Sequence, residues 1–387
     1  MTNTLVTRMQ AVQPPVIPVV GQLIRQHPGT ISLGQGMVAY GPPPQAIESA
    51  RAALQEHTTH QYQAVEGLLP LREAIAHKLQ TENQMKLRGH SQVVVTAGSN
   101  MGFINAILAI TQPGDEIILQ IPYYFNHEMA ITMASCRAVG VPTDQAYQLQ
   151  LDAIAAAISP KTRAIVTVSP NNPSGAVYPA EHLEAVNQLC RDRTLYHISD
   201  EAYEYFTYDA ATHVSPATFD PQGEHTISLF TLSKAYGFAG WRIGYMVIPD
   251  HLLQAIQKIQ DTILICPPLI SQYGAIGALQ AGRAYCRAQM TMIGTAREHV
   301  LHALTQIPDF CTLPPTAGAL YVLPQIHTQW PVMTVVERLI REHGVAVMPG
   351  DAFGLTSECY VRIAYGALPA DQIAAGVTRF VEGIQEL

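Results

Sequence analysis

Residues 226–248 read "TISLFTLSKAYGFAGWRIGYMVI", in which two apolar runs flank a segment that holds one lysine and one arginine. The flanking runs, "TISLFTL" and "GYMVI", are almost continuously apolar, which is typical of strands covered on both faces of a sheet. Lys234 therefore directly follows a predicted buried strand, and Arg242 lies eight residues further along the chain. The stretch predicts a sheet edge that carries two cations.

The same pattern of short apolar runs separated by helical segments extends from about residue 90. The intervening segments "NMGFINAILAITQ" and "PAEHLEAVNQLCRDR" have the apolar spacing of helices, and the second has a proline near its start. Strands that alternate with helices predict an α/β fold with a doubly wound, mostly parallel sheet. The other predicted strands are "QVVVTA", "EIILQI", "RAVGVP", "RAIVTV" and "LYHIS".

The pattern changes beyond residue 285, where a long helix, three short strands and a final helix are predicted. The three strands lie in "GALYVL", "VAVMPG" and "YVRIAY". We therefore expect a smaller α+β domain beside the large one. The predicted division is an N-terminal arm with part of the small domain at 1–44, a large domain at 45–285 and a small C-terminal domain at 286–387.

Composition excludes several classes of protein. Of 387 residues, 48% are hydrophobic and 13% charged, which is typical of a compact enzyme and not of a disordered chain. Thirty acidic against 22 basic residues, with no basic cluster, argue against a nucleic-acid partner. No membrane span or signal peptide is predicted, and six cysteines without a CxxC pair indicate free thiols in a reducing, cytoplasmic compartment.

Polar side chains follow five of the predicted strands, each just past the carboxyl end. In an open α/β sheet this is the edge at which ligands bind, so the five positions predict one site. They are Ser99 with Asn100, Tyr124, Asn172, Asp200 and Lys234.

The neighbours of Lys234 suggest its chemistry. A lone lysine is usually an exposed surface residue. Here Thr231 and Ser233 add hydroxyl groups, and Arg242 adds a planar guanidinium suited to phosphate. An amine beside a phosphate site can form a Schiff base with an aldehyde cofactor, and pyridoxal phosphate carries both groups.

That cofactor makes two further demands that the chain can meet. Its pyridine nitrogen needs a buried carboxylate partner to stay protonated, and Asp200 is available at a strand end. Its phenolic oxygen needs hydrogen-bond partners, and Asn172 and Tyr203 are available. Taken singly, Asp200 is more simply explained as a turn residue and "NNPSG" as a tight turn.

Together, the segments "SPNNPSG" (169–175), "DEAY" (200–203) and "TLSKAYGFAGWRIG" (231–244) resemble the signature segments of class I and II pyridoxal-phosphate aminotransferases, which have fold type I. The spacing also matches, with 28 residues from Asn172 to Asp200 and 34 from Asp200 to Lys234. The resemblance extends from "ISLGQGMVAYGPP" (31–43) to "YVRIAYG" (360–366), nearly the whole chain. It implies a fold type I large domain with a seven-stranded sheet and a smaller α+β domain.

The resemblance implies a role for each matched residue around the cofactor. Lys234, Asp200 and Tyr203 would be the catalytic residues. Lys234 would hold pyridoxal phosphate as a Schiff base and move the proton, while Asp200 would pair with the pyridinium nitrogen. Asn172 and Tyr203 would bond the phenolic oxygen, and Tyr124 would stack on the ring.

The resemblance also implies how phosphate and substrate are bound. Tyr62 resembles a tyrosine that reaches the phosphate from the neighbouring subunit, which implies a homodimer with shared active sites. The substrate would be bound by Asn172, by Gly36 in the loop ahead of the first large-domain helix, and by Arg362, which would pair with the α-carboxylate. The phosphate would be held at a helix start by Ser99 and Asn100, together with Thr231, Ser233 and Arg242.

Two motifs with other possible meanings carry less weight. "GQGMVA" (34–39) fits a loose dinucleotide pattern, but "YGPPP" follows it instead of a helix. The pairs His57/His60 and His299/His302 have helical spacing, but no third ligand or HExxH motif accompanies them. We therefore expect no metal site.

The substrate is predicted from the expected pocket and from local resemblance. The segments "PYYFNHEMA", "YEYFTYD" and "ICPPLISQ" are similar to those of cyanobacterial and plant aminotransferases for aromatic amino acids and methionine. The alternatives are an aspartate aminotransferase, a fold type I C–S or β-lyase, and an effector-binding domain of a transcription regulator. The expected pocket residues are Met37, Val38, Tyr40, Tyr62 and Phe125.

Overall fold

The computed structural model describes residues 7–87 and 91–387. Its strands range from two-residue pairs to the longer strands of one central sheet. They are β1 (Ile31–Ser32), β2 (Ser91–Thr96), β3 (Glu116–Ile121), β4 (Arg137–Pro142), β5 (Thr162–Val168), β6 (Tyr196–Asp200), β7 (Thr226–Thr231), β8 (Gly244–Pro249), β9 (Cys311–Thr312), β10 (Tyr321–Val322), β11 (Gln325–Ile326), β12 (Val345–Ala346), β13 (Met348–Pro349) and β14 (Val361–Ala364).

The helices alternate with the strands of the central sheet and are longest in the last third of the chain. They are α1 (Thr7–Ala11), α2 (Val16–Gln26), α3 (Pro44–Ala53), α4 (Leu69–Glu82), α5 (Ser99–Ile110), α6 (Phe125–Met133), α7 (Leu151–Ala156), α8 (Ala180–Asp192), α9 (Leu253–Ile263), α10 (Leu269–Thr305), α11 (Val332–His343) and α12 (Ala370–Gln385).

The central sheet has seven strands in the order β2-β8-β7-β6-β5-β3-β4. Its pairs are parallel except at β8, which runs antiparallel to both β2 and β7. The predicted mostly parallel seven-stranded sheet is therefore confirmed. Because β8 is reversed, its first residue lies at the edge where β2, β3, β5, β6 and β7 end.

The sheet is covered on both faces, which explains the apolar runs in the sequence. Strands β3, β5, β7 and β8 are buried over almost their whole length. Neighbouring residues of β3 belong to different cores: Ile117 packs in the cluster that contains Phe103 of α5, and Ile118 packs in the cluster that contains Leu183 of α8. The edge strand β4 is largely exposed or half-buried, since only one neighbour covers its backbone.

The remaining strands form small sheets that join distant parts of the chain. β10, β14 and β13 form a three-stranded antiparallel sheet, and β9 pairs with β11. Near the N-terminus, β1 pairs in parallel with β12, with Ile31 opposite Val345. Helix α10 bends at Gly282, whose φ is 64°. Within residues 7–87 and 91–387, no helix has both the length and the apolar character that crossing a membrane requires.

Gly244 lies where β2, β7 and β8 meet. It pairs with Thr96 on one side and Thr231 on the other. A Cβ atom at Gly244 would lie 2.6 Å from the carbonyl oxygen of Phe230 and 2.9 Å from the backbone nitrogen of Ser99. Backbone atoms cannot rotate away as a flexible side chain can, so only glycine fits here without moving a strand.

We predict that Gly244→Ala lowers the free energy of unfolding by about 1–3 kcal/mol, the usual cost of overpacking a filled interior. Gly240→Ala is the matched control, because a Cβ there meets nothing within 4 Å, and its effect should stay within about 0.5 kcal/mol. Urea denaturation followed by circular dichroism measures both. Equal stabilities for the two variants would contradict the predicted strain.

Candidate active site

A cavity of about 320 Å³ opens at the carboxyl edge of the central sheet. This volume lies at the small end of the range for sites that bind small molecules. The cavity is lined by most of the residues that the sequence singled out. They are Gly36, Met37, Ser99, Asn100, Tyr124, Phe125, Asn172, Asp200, Tyr203, Thr231, Ser233, Lys234, Arg242 and Arg362.

Lys234 follows β7 and turns its amine into the cavity. Its Nζ donates a hydrogen bond to the carbonyl oxygen of Gly36. Burial of the amine, with a smaller effect from the nearby Arg362 and Arg242 cations, lowers the pKa of Lys234 to about 8. A substantial fraction of Lys234 is therefore the neutral, nucleophilic amine near pH 8.

The part of the cavity beside Lys234 carries groups whose chemistry suits an anion. Helix α5 begins at Ser99, after Gly98 with a φ of 86°, and its first backbone N–H groups have no partner within the helix. Arg242 lies beside this helix start, where its Nη2 donates to the carbonyl oxygen of Ala97 at 3.3 Å. A Cβ atom at Gly98 would collide with the Arg242 guanidinium.

Two hydroxyl groups complete this anion site. Thr231 Oγ1 donates to Ser233 Oγ over 2.8 Å, and Thr231 Oγ1 also accepts from the Ser233 backbone nitrogen at 3.1 Å. Both residues line the cavity, as Arg242 does. Helix dipole, guanidinium and hydroxyl donors are the groups that bind phosphate in proteins.

Asp200 ends β6 and is 4% exposed. Its Oδ1 accepts a hydrogen bond from the backbone nitrogen of Ala202 at 3.1 Å, and its Oδ2 lies 3.0 Å from His127 Nε2. The His127 ring stacks on Phe103, with 3.9 Å between centroids. The sequence reasoning did not identify His127; the only signal was its position on the first turn of α6, just after Tyr124.

Arg362 lies on β14 and is 2% exposed. Its Nη1 donates to Asn172 Oδ1 at 2.9 Å, and its Nη2 donates to the carbonyl oxygen of Gly34 at 2.7 Å. Within the described residues, its Nε has no hydrogen-bond partner. A buried cation that lines a cavity and keeps one donor unused favours the binding of a carboxylate.

Tyr321 lines the cavity and is a second residue that the sequence reasoning missed. Its hydroxyl lies 2.6 Å from that of Tyr203, and its ring centroid lies 4.5 Å from the centre of the Arg362 guanidinium. In the sequence it belongs to "GALYVL", which predicts a strand but does not indicate where that strand lies.

Three of the residues proposed from the sequence do not line the cavity. Tyr62 is 78% exposed. Val38 is buried. Tyr40 is half-buried, and its hydroxyl donates to the backbone carbonyl of Lys234 at 3.0 Å. Their roles in binding stay predictions, and the role of Tyr62 requires a second copy of the chain.

The groups in the cavity fit pyridoxal phosphate at three separate points. The lowered pKa of Lys234 suits an amine that bonds to an aldehyde. The start of α5, with Arg242 and two hydroxyl groups, suits the phosphate. The buried carboxylate of Asp200 suits a protonated ring nitrogen, because a buried negative charge without a cationic partner costs free energy.

Comparisons with known proteins agree with this chemistry. The family model described as "Aminotransferase class I and II" matches residues 28–380. An aromatic aminotransferase of Arabidopsis thaliana is 33% identical over 384 residues, covering 96% of this chain and 94% of that protein. An aspartate/prephenate aminotransferase of Thermus thermophilus is 33% identical over 383 residues, covering 96% of this chain and 97% of that protein.

A solved structure extends the similarity to three dimensions. The crystal structure of an aromatic aminotransferase from Pyrococcus horikoshii superimposes with a TM-score of 0.87 at 31% identity, over 95% of this chain and 99% of that one. Similarity of this extent covers nearly all of the chain.

The lowered pKa of Lys234 predicts how the protein captures an aldehyde. In the apoprotein, the rate at which Lys234 captures added pyridoxal phosphate should rise about tenfold per pH unit below pH 8 and level off above it, because only the neutral amine reacts. Absorbance spectroscopy of the apoprotein between pH 6 and 10 measures this rate.

A matched variant tests the electrostatic cause. Arg362→Gln removes one of the cations that lower this pKa, so the midpoint should move to higher pH. A wild-type midpoint near 10, the ordinary lysine value, would show that the amine is not perturbed.

Proposed function

This chain belongs to the class I and II aminotransferase family, and on that premise we propose that it moves the amino group of methionine or an aromatic L-amino acid to a 2-oxo acid. Pyridoxal 5′-phosphate is the cofactor of this family. The observation that carries the substrate proposal is that apolar side chains line the cavity beside the three cations Lys234, Arg242 and Arg362.

Each end of the cofactor has its own residues in the proposed site. Lys234 binds the aldehyde carbon, Asp200 holds the proton on the ring nitrogen, and Tyr203 with Asn172 bonds the phenolic oxygen. Arg242 and the start of α5 hold the phosphate, with Ser99, Asn100, Thr231 and Ser233. When bound, the cofactor supplies an electron sink that stabilises negative charge at the substrate Cα.

The remaining chemistry is performed by the chain itself. Arg362 pairs with the substrate α-carboxylate and so fixes the orientation of the Cα–H bond. The Lys234 amine, which lines the cavity, would take the proton from Cα as a general base. The carbonyl oxygen of Gly36 accepts a hydrogen bond from Lys234, so the loop backbone lies close to the substrate. Amino donor and 2-oxo acid acceptor use this one site in turn, which makes the reaction ping-pong.

The lining of the cavity supports an uncharged substrate side chain. Ile17, Met37, Phe125 and Met348 line it. Lys234, Arg242 and Arg362 are the cations of the lining in the described part of the chain, and the proposed mechanism already uses each of them. Among the described residues that line the cavity, a second carboxylate would therefore find no cation that is still free, and placing it against apolar side chains would be costly.

Aspartate is the second candidate substrate. The observation that favours it is that the relative from Thermus thermophilus, 33% identical over 383 residues, is named an aspartate/prephenate aminotransferase. The relative from Arabidopsis thaliana, with equal identity, is named an aromatic aminotransferase. A cation from a neighbouring subunit could pair with the second carboxylate.

We also propose a homodimer in which Tyr62 reaches the phosphate site of the partner. The support is its 78% exposure, together with the exposed apolar side chains of Leu69 (61%) and Ile263 (54%). If these side chains form one continuous patch, that patch favours a protein partner. The cytoplasmic location stays a prediction. It is supported by the six cysteines, which are free and buried, because free thiols are typical of a reducing compartment.

The proposed reaction predicts the outcome of a half-reaction screen. When the pyridoxal form is mixed with single amino acids, we expect methionine, phenylalanine and tryptophan to convert it to the pyridoxamine form at least about tenfold faster than aspartate, a difference of about 1.4 kcal/mol. Absorbance follows the conversion, and Lys234→Ala is the control that should show none. Faster conversion by aspartate would show that aspartate, and not methionine or an aromatic amino acid, is the substrate. Release of ammonia with pyruvate would indicate a lyase.

The role of Arg362 predicts a loss common to all substrates. Arg362→Ala should lower kcat/KM about 100-fold or more for every amino acid tested, since each loses the same charged hydrogen bonds to its carboxylate. Arg338→Ala is the control, because Arg338 is paired with Glu342 on the surface and should leave kcat/KM unchanged. Loss confined to one type of side chain would assign Arg362 to the side chain instead.

A further inference from the structure

Tyr321 contacts both functional ends of the proposed substrate site. Its hydroxyl lies 2.6 Å from the Tyr203 hydroxyl, on the side where the cofactor's phenolic oxygen is proposed to bind. Its ring lies under the Arg362 guanidinium, 4.5 Å from its centre. Tyr321 is 1% exposed and lines the cavity.

The position of Tyr321 is held by three separate parts of the chain. It lies on β10, which pairs with β14 next to Arg362. Tyr203 belongs to the turn after β6, and the rings of Tyr203 and Tyr321 meet edge to face at 5.5 Å. The third part is the loop at Gly36, where an added Cβ would collide with the Tyr321 hydroxyl. The hydroxyl is therefore confined to one place.

The direction of the hydroxyl–hydroxyl hydrogen bond follows from counting protons. A tyrosine hydroxyl has one proton to donate. If Tyr203 donates this proton to the phenolic oxygen of the cofactor, the bond between the two tyrosines must be donated by Tyr321. A hydroxyl that accepts one hydrogen bond becomes a stronger donor in the next, so Tyr321 strengthens the contact that Tyr203 makes.

We propose that Tyr321 is a positioning residue that donates to Tyr203 and supports Arg362, so that one side chain adjusts the cofactor's phenolic oxygen and orients the substrate carboxylate. This inference rests on the proposed function. It adds to that function a residue that acts on the reaction through two others.

Several charged and titratable groups surround Tyr321 and Lys234. Tyr321 interacts with Arg362, Tyr203, Tyr124 and Tyr365. The groups around Lys234 are Arg362, Arg242 and Asp200. Tyr321→Phe removes one hydroxyl and leaves every charge in place. A change in proton affinity at Lys234 then reports the lost hydrogen bond.

The main test is a pH titration of the visible absorbance of the holoenzyme. Without the Tyr321 hydroxyl, Tyr203 is a weaker hydrogen-bond donor and stabilises negative charge on the cofactor's phenolic oxygen less well. The protonated state, in which a proton lies between that oxygen and the Lys234 nitrogen, is therefore favoured up to a higher pH. Tyr321→Phe should therefore raise the pH midpoint by about 0.5 unit or more, the size expected for one neutral hydrogen bond. A midpoint within about 0.2 unit of wild type would overturn the proposal.

A double-mutant cycle tests whether Tyr321 acts through Tyr203. In a Tyr203→Phe background, Tyr321→Phe should add no further shift, because the hydroxyl that it strengthens is absent. An undiminished shift in that background would show that Tyr321 acts on Lys234 by another route and would overturn the proposal.

Binding of unreactive carboxylates tests the support of Arg362. The probes are 3-phenylpropanoate and maleate, which lack an amino group. Tyr321→Phe keeps the ring and should change their Kd less than about twofold, whereas Tyr321→Leu should raise it several-fold through loss of the cation–π contact. Unchanged binding by Tyr321→Leu would overturn this half of the proposal.

Phe353→Leu is the matched control, and melting temperatures establish that each variant is folded. Phe353 also lies under Arg362, at 5.1 Å, but carries no hydroxyl. Its loss should weaken the binding of the carboxylates and leave the pH midpoint unchanged; a midpoint that moves as far as in Tyr321→Phe would overturn the assignment to the hydroxyl.

Failure of this inference is distinguishable from failure of the proposed function. A wild-type protein without visible absorbance or any half-reaction would contradict the function itself. A wild type that is active and titrates normally, with variants that behave like it, would contradict only the role of Tyr321.

Discussion

The site depends on the hydrogen bonding of β8 between β2 and β7. Because β8 runs against its neighbours, Gly244 at its start pairs with the last residues of both, Thr96 and Thr231. This single register brings together the start of α5, which follows β2, and Lys234, which follows β7. Arg242, two residues before Gly244, is carried to the same point. A slip by one residue would turn the side chains of β8 to the opposite faces of the sheet and separate these groups.

The second constraint is electrostatic. Three cations, Lys234, Arg242 and Arg362, line one small cavity, and the buried Asp200 is the carboxylate among the lining residues. Burial of the amine, together with the smaller effect of repulsion from the two arginines, favours the neutral form of the lysine, since the arginines remain protonated at any physiological pH. The arrangement is therefore ready for two anions, a phosphate and a carboxylate, and for nucleophilic attack by the amine. Each of these properties is a consequence of the same crowding.

Much of the fold and most of the site could be predicted from the sequence, for reasons that are local. Strands buried on both faces are apolar throughout, so "TISLFTL" and "GYMVI" were identified without a structure, and the residue after each strand end was placed at the ligand edge. His127 and Tyr321 were missed because neither has a local signal. His127 is connected to the site by its 3.0 Å approach to Asp200, and Tyr321 by its contacts with Tyr203 and Arg362.

The sequence by itself determined the α/β class, the family resemblance and the residues that follow the strands, because each of these depends on periodicity or on short, contiguous motifs. Only the tertiary structure decided which distant groups meet. Arg362 reaches Asn172 across 190 residues of chain, and Tyr203 reaches Tyr321 across 118. Such contacts are set by the packing of β14 and β10 against the edge of the central sheet. No local pattern encodes that packing, because the same residues would form the same strands wherever they docked.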